Sequence, residues 1–74
     1  MDFKILEHLG TLTTNETKKI SKELNKVSWY GNKAVYEIRS WMNTDNAKQP
    51  LKGITLTIDE LKTLKTVLNE IELG

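Results

Sequence analysis

The chain has 74 residues, with 11 Lys and Arg against 10 Asp and Glu, a net charge of +1, and no cysteine. That length makes one domain and leaves a core that is marginal for a lone chain, and the absence of cysteine excludes disulfides and thiolate metal sites, so a homodimer is expected. No apolar run approaches the ~18 residues of a membrane span, and no basic start followed by an apolar middle marks a secretory leader, so the expected location is the cytoplasm.

FKILEHLGTLT (3–13) is an apolar-rich run expected to form the first strand, with Gly10 bending or bulging it. TNETKK (14–19) is polar turn material. KELNKVSWY (22–30) is a second strand and KAVYEIRSWM (33–42) a third. Between them Gly31-Asn32 predicts a two-residue hairpin, since glycine at the first central position suits a type II′ turn. NTDNAKQPLKG (43–53) is expected to be a loop, with Pro50 excluding a central strand. GITLT (53–57) is a short fourth strand that runs into a helix. Thr57 and Glu60 fit a capping box, and Ile58, Leu61, Leu64, Val67, Leu68 and Ile71 follow at helical spacing. The expected fold class is α+β: a four-stranded curved antiparallel sheet covered by one C-terminal amphipathic helix.

Charge is unevenly placed. Lys18, Lys19, Lys22, Lys26, Lys33, Arg39, Lys48 and Lys52 crowd the middle of the chain, whereas both ends are acidic on balance. Four of the five aromatics lie in the same region, in VSWYGNKAVYEIRSW (27–41). A two-residue turn there opposes Tyr30 to Lys33, Trp29 to Ala34, Val27 to Tyr36 and Lys26 to Glu37. Opposed residues share a face. One face then holds Val27, Trp29, Ala34, Tyr36 and Ile38, an apolar set that suits the helix. The other holds Lys26, Ser28, Tyr30, Lys33, Val35, Glu37, Arg39 and Trp41. On this register Trp29 is core, Lys26 pairs with Glu37, and Trp41 is exposed. Aromatics interleaved with cations on a sheet are what single-stranded nucleic acid requires, the rings stacking on bases and the cations holding phosphates.

Other chemistry is not indicated. His8 is the lone histidine, no nucleophile lies beside a base, and no glycine-rich phosphate loop is present. No enzymatic activity, cofactor or metal is expected.

KELNKVSWYGN, YEIRSW and KGITLTIDELKTL, in that order and spacing, resemble the single-stranded DNA-binding domain of the transcriptional coactivator positive cofactor 4. The likeness is closest to the short bacterial members of that family and covers roughly residues 20–70. It implies a ββββα homodimer that binds single-stranded DNA with little sequence preference, in DNA maintenance or transcription and in association with the nucleoid. By position, the family's DNA-contacting residues fall on Tyr30, Lys33, Arg39, Trp41 and Lys52, and Lys22 and Lys26 complete the candidate set. Eukaryotic members have one more residue between the arginine and the tryptophan and more cations before the second strand. The same stacking face would also serve an RNA-binding or RNA-chaperone module, and Tyr30 with Trp41 would serve as the hot spot of a protein-interaction dimer.

Overall fold

A computed structural model describes residues 2–74. Its elements are β1 (Phe3–Asn15), β2 (Ile20–Trp29), β3 (Val35–Asn43), β4 (Lys48–Leu56) and α1 (Ile58–Glu70). The strands form one antiparallel sheet in chain order, β1-β2-β3-β4, so the expected four strands and C-terminal helix are present. The helix starts as its sequence dictates. The Thr57 hydroxyl accepts from the Glu60 amide at 3.1 Å, and the Glu60 carboxylate accepts from the Thr57 amide at 2.8 Å.

β4 is longer than expected, beginning at Lys48 and passing through Pro50. It is an edge strand, where a residue without an N–H is tolerated. Its ladder with β3 shifts between Arg39, which faces Gly53, and Trp41, which faces Pro50. Leu51 and Lys52 fall in that shift.

The hairpin differs from its expected form, and the difference reorganises the sheet. Asn32 donates its amide to the Trp29 carbonyl at 2.8 Å. Tyr30 and Gly31 between them have φ of 53° and 73°. Two positive φ values at the centre make this a type I′ turn on Tyr30-Gly31, not a type II′ turn on Gly31-Asn32. The ladder begins at Val27 opposite Val35, one residue from the expected Val27–Tyr36 pairing. A one-residue slip turns a whole strand over relative to its partner. Val27 and Trp29 therefore share a face with Glu37, Arg39 and Trp41. Lys26 faces Tyr36, and Lys22 faces Ser40.

That shared face, here the inner face, is the core. Ser21, Glu23, Asn25 and Val27 of β2 and Glu37 and Trp41 of β3 are all buried. The helix does not cover them, because it touches only β3 and β4 and none of its own residues is buried. Burial of a sheet face without a covering layer requires the sheet to curl over it. β1 supplies the curl. Its register against β2 shifts between Ile5 and Glu7, between His8 and Gly10, and between Thr11 and Thr13. Each shift inserts an unpaired residue, bends the strand and increases its twist. Gly10 thus lies at a bulge, as its position predicts. The curl brings Phe3 to within 5.5 Å of the Trp29 ring and 5.1 Å of the Trp41 ring, centroid to centroid. The two indoles lie 6.4 Å apart and nearly parallel, at 4°.

The outer face carries Tyr36 opposite Leu56 and Ile38 opposite Ile54. It is not closed within one chain. Ile54 is 60% exposed, and Ile58, Val67, Leu68 and Ile71 of the helix are exposed as well.

Trp41 has 0% exposure, which contradicts its expected place as an open platform. Trp41→Ala is expected to lower the stability of the fold by ~3–5 kcal/mol, as truncation of a buried aromatic does. Urea unfolding followed by circular dichroism checks this. A variant as stable as the parent would show that Trp41 is not core.

Candidate nucleic-acid interface

Glu37 organises one end of the inner face. Its side chain has no exposed surface, yet it carries a carboxylate in the middle of a strand. Isolated burial of that charge is costly, and three donors compensate for it. Trp29 Nε1 donates to it at 3.0 Å, Arg39 Nε at 2.9 Å and Arg39 Nη2 at 3.1 Å. Arg39 Nη1 donates to the Leu51 carbonyl at 2.7 Å, in the shifted segment of β4. The guanidinium is thereby held over the Trp29 ring, 4.9 Å from its centroid. Three of its five N–H groups are used, and two remain. The arginine stem also explains the glycine of the KGIT segment. A Cβ on Gly53 would stand 2.7 Å from Arg39 Cβ and 2.8 Å from Arg39 Cγ. Trp29 and Arg39 border an open groove completed by Pro50, Leu51 and Thr55.

The other end repeats the scheme with different residues. Glu23 accepts from Ser21, from Lys48 Nζ at 2.7 Å and from Asn25 Nδ2 at 3.1 Å. Lys48 lies over Trp41, 5.7 Å from the ring centroid, and also donates to Asn43 Oδ1 at 3.0 Å. His8 Nδ1 is 2.6 Å from Asn25 Oδ1, which ties β1 into the cluster. Burial works to raise the Glu23 pKa. The hydrogen bonds from Lys48, Ser21 and Asn25, together with the Lys48 charge, outweigh it and hold the group below its ordinary 4.5.

The candidate residues do not all converge. Arg39 and Trp41 share the inner face, but Trp41 is sealed beneath Phe3 and Trp29. Tyr30 stands at the turn tip, 65% exposed, with its ring 6.4 Å from that of Trp29. Its amide donates to the Asp2 carbonyl at 2.7 Å, which fastens the turn to the start of β1. Lys33 is exposed in the same connection and borders, with Lys26, Tyr36 and Leu56, a pocket apart from the groove, and Lys52 is exposed beside Gly53. Lys22 and Lys26 are not brought to this set. Lys26 is on the outer face, its Nζ 5.7 Å from the Tyr36 centroid. Glu37 faces Asn25 and bonds Arg39 and Trp29, so the expected Lys26–Glu37 pair is absent. Trp29, expected in the core under the helix, borders the groove instead and is only partly buried. Sequence reasoning also missed Phe3, Glu23 and Lys48. The i, i+2 spacing of Glu37 and Arg39 on one strand face was the available signal for their pairing.

Among the described residues no helix is long and apolar enough to cross a membrane, and no three His, Asp or Glu side chains group as a metal site. Comparison with known proteins gives two findings. The family model described as "Transcriptional Coactivator p15 (PC4)" matches residues 15–67, more than half of the chain. An uncharacterised protein of Treponema pallidum (strain Nichols) is 37% identical over 71 residues, spanning 96% of this chain and 80% of that protein.

The Glu23 cluster has a pH consequence. Folding lowers this pKa, so the ionised group contributes stability above its ordinary 4.5, and the contribution is lost as pH falls through the folded value. Melting temperature is expected to drop with acidification below 4.5, and Glu23→Gln is expected to flatten that part of the profile. An unchanged acid limb in Glu23→Gln would assign the effect to other carboxylates.

Proposed function

Because the chain belongs to the transcriptional coactivator p15 (PC4) family, we propose that it is a homodimeric, largely sequence-independent single-stranded DNA-binding protein. The observation that carries this reading is the Arg39 guanidinium laid on Trp29 and pinned there by buried Glu37, at the edge of an open groove. A strand in that groove would stack bases on Tyr30 and on the outward side of the Arg39 guanidinium that Trp29 supports, while the two remaining Arg39 N–H groups and the Lys33 and Lys52 ammoniums take phosphate oxygens. Trp41 acts from beneath, backing Trp29. Lys22 and Lys26, on the opposite face, have no part in this groove. Duplex binding is disfavoured by the helix, whose first turn holds Asp59 and Glu60 and whose last turn holds no cation, a poor partner for a major groove.

The outer face supports the dimeric part of the proposal. An apolar surface that runs from Ile54 to Val67, Leu68 and Ile71 and is left open in a chain of 74 residues calls for a partner, and a second copy presents the matching surface by symmetry.

Two measurements test the two halves of the proposal. Titration with oligo-dT and oligo-U at two salt concentrations, followed by tryptophan fluorescence, is expected to show quenching and salt-sensitive affinity. Tyr30→Ala is expected to weaken binding by ~1–3 kcal/mol with little change in salt slope. Lys33→Ala and Lys52→Ala should each lower the slope by about 0.7 for every phosphate that is no longer neutralised. Absence of quenching and of salt dependence would sink the nucleic-acid reading, and equal affinity for the two oligomers would move it to RNA as much as DNA. Sedimentation equilibrium is expected to return twice the chain mass, reduced to one chain mass by Leu68→Asp. A monomer at every concentration would refute the dimer.

A further inference from the structure

A second cavity, of about 240 Å³, opens on the inner face on the far side of the indole pair from the groove. Ile5, His8, Thr11, Glu23, Asn25 and Lys48 line it. Its volume is several times a water's share of about 30 Å³. Lys48 links it to the aromatic stack, because this side chain both borders the cavity and covers Trp41.

The polar atoms around it are not saturated. Glu23 Oε2 accepts from Ser21 and Lys48, which fills its two lone pairs. Glu23 Oε1 accepts only from Asn25, since His8 Nδ1, at 3.5 Å, gives its bond to Asn25 Oδ1. One acceptor position on the carboxylate is therefore not taken by a protein donor among the described residues. Lys48 Nζ uses two of its three protons, on Glu23 and Asn43, and has one left. The cavity is also a poor phosphate site, because its one lysine is already paired with its one carboxylate and a phosphate would meet Glu23.

We propose that this cavity receives the Watson–Crick edge of one unpaired base that carries an exocyclic amino group, cytosine being the base of the best-matched pattern. The proposal rests on the single-strand reading above and adds one selective position to it. The cytosine N4 amino group donates to Glu23 Oε1, and the adjacent N3 accepts from the free Lys48 proton. Uracil and thymine place a carbonyl oxygen where the amino group would be, against the carboxylate, and an N–H where N3 accepts. Carboxylate recognition of the cytosine amino group is a known form of base readout. His8 is a positioning residue: by holding Asn25 Oδ1 it keeps the amide nitrogen turned toward Glu23.

Oligo-dC and oligo-dU isolate the effect, since their bases differ only at this edge. Fluorescence anisotropy of labelled oligomers of equal length, at neutral pH and one salt concentration, is expected to show dC bound about fivefold or more tightly than dU. Glu23→Gln is expected to abolish the ratio. Because that change also removes the Lys48 ion pair, Thr11→Phe provides a second variant, which fills the cavity mouth from an exposed strand position and, while losing the 3.2 Å contact of the Thr11 hydroxyl with His8 Nε2, keeps the Glu23 bonds to Lys48 and Asn25. It is expected to bring the dC affinity down to that of dU with the dU affinity unchanged. Equal affinities in the parent protein, or a dC preference that persists in Thr11→Phe, would overturn the cavity's role while leaving the groove in place. Failure of both oligomers to bind would overturn the single-strand reading itself.

Discussion

The buried carboxylate of Glu37 is the constraint on which the arrangement depends. A charge without exposed surface in mid-strand must be paired and fully hydrogen-bonded, or it would cost more stability than a small domain has. The pairing fixes two other side chains at once. Trp29 is held through its indole N–H, and Arg39 is held through two donors of its planar fork, so ring and guanidinium are stacked before any ligand arrives. Lysine in place of Arg39 could not reproduce this, having neither the fork nor the flat face. Glu23 holds Lys48 over Trp41 in a similar way, but it does not take the Trp41 indole N–H, which is buried without a protein acceptor among the described residues. Two glutamates, two cations and two parallel indoles thus form a doubled unit across the inner face.

The doubled unit occupies the space where a conventional two-layer domain would place its helix. The sheet encloses these residues by curling, driven by three bulges in β1, and Phe3 closes the end. The helix is consequently free of its usual task and lies against β3 and β4 with no buried residue. Curvature of the sheet and openness of the outer face are therefore one fact seen from two sides. The strand that forms the core on one face leaves the apolar surface on the other.

Much of this was legible in the residues. The capping box, the helical stripe, the bulge at Gly10 and the number of strands follow from local chemistry, and the helix begins where Thr57 and Glu60 place it. The split of β3 into Tyr36 and Ile38 against Glu37, Arg39 and Trp41 was also legible, because alternation within one strand needs no knowledge of its partner. What failed was the link between strands. Tyr30 adopts φ of 53°, a left-handed conformation that a bulky side chain rarely takes, so local preference favours the Gly31-Asn32 turn that does not form. One residue of error there moved Trp29 and Val27 to the wrong face and Lys22 and Lys26 to the candidate interface. Trp41 falls on its expected face but is not exposed there, since no pairwise rule announces that a sheet will bury its own polar face under Phe3.

The pairing inside the sheet also changes what the basic middle of the chain means. Of its cations, Arg39 and Lys48 are bound to carboxylates within the inner face. Their contribution to a ligand lies in direction more than in net charge: each offers unused donors from a fixed position beside a ring. In the proposed function, the exposed ammoniums of Lys33 and Lys52 are the ones that attract phosphate at a distance. On that proposal, affinity that depends on salt belongs to exposed lysines outside the groove, and discrimination to residues of the inner face. A net charge of +1 is compatible with the proposed binding of an anionic strand, because the attraction would come from exposed lysines while the paired interior adds no repulsion of its own.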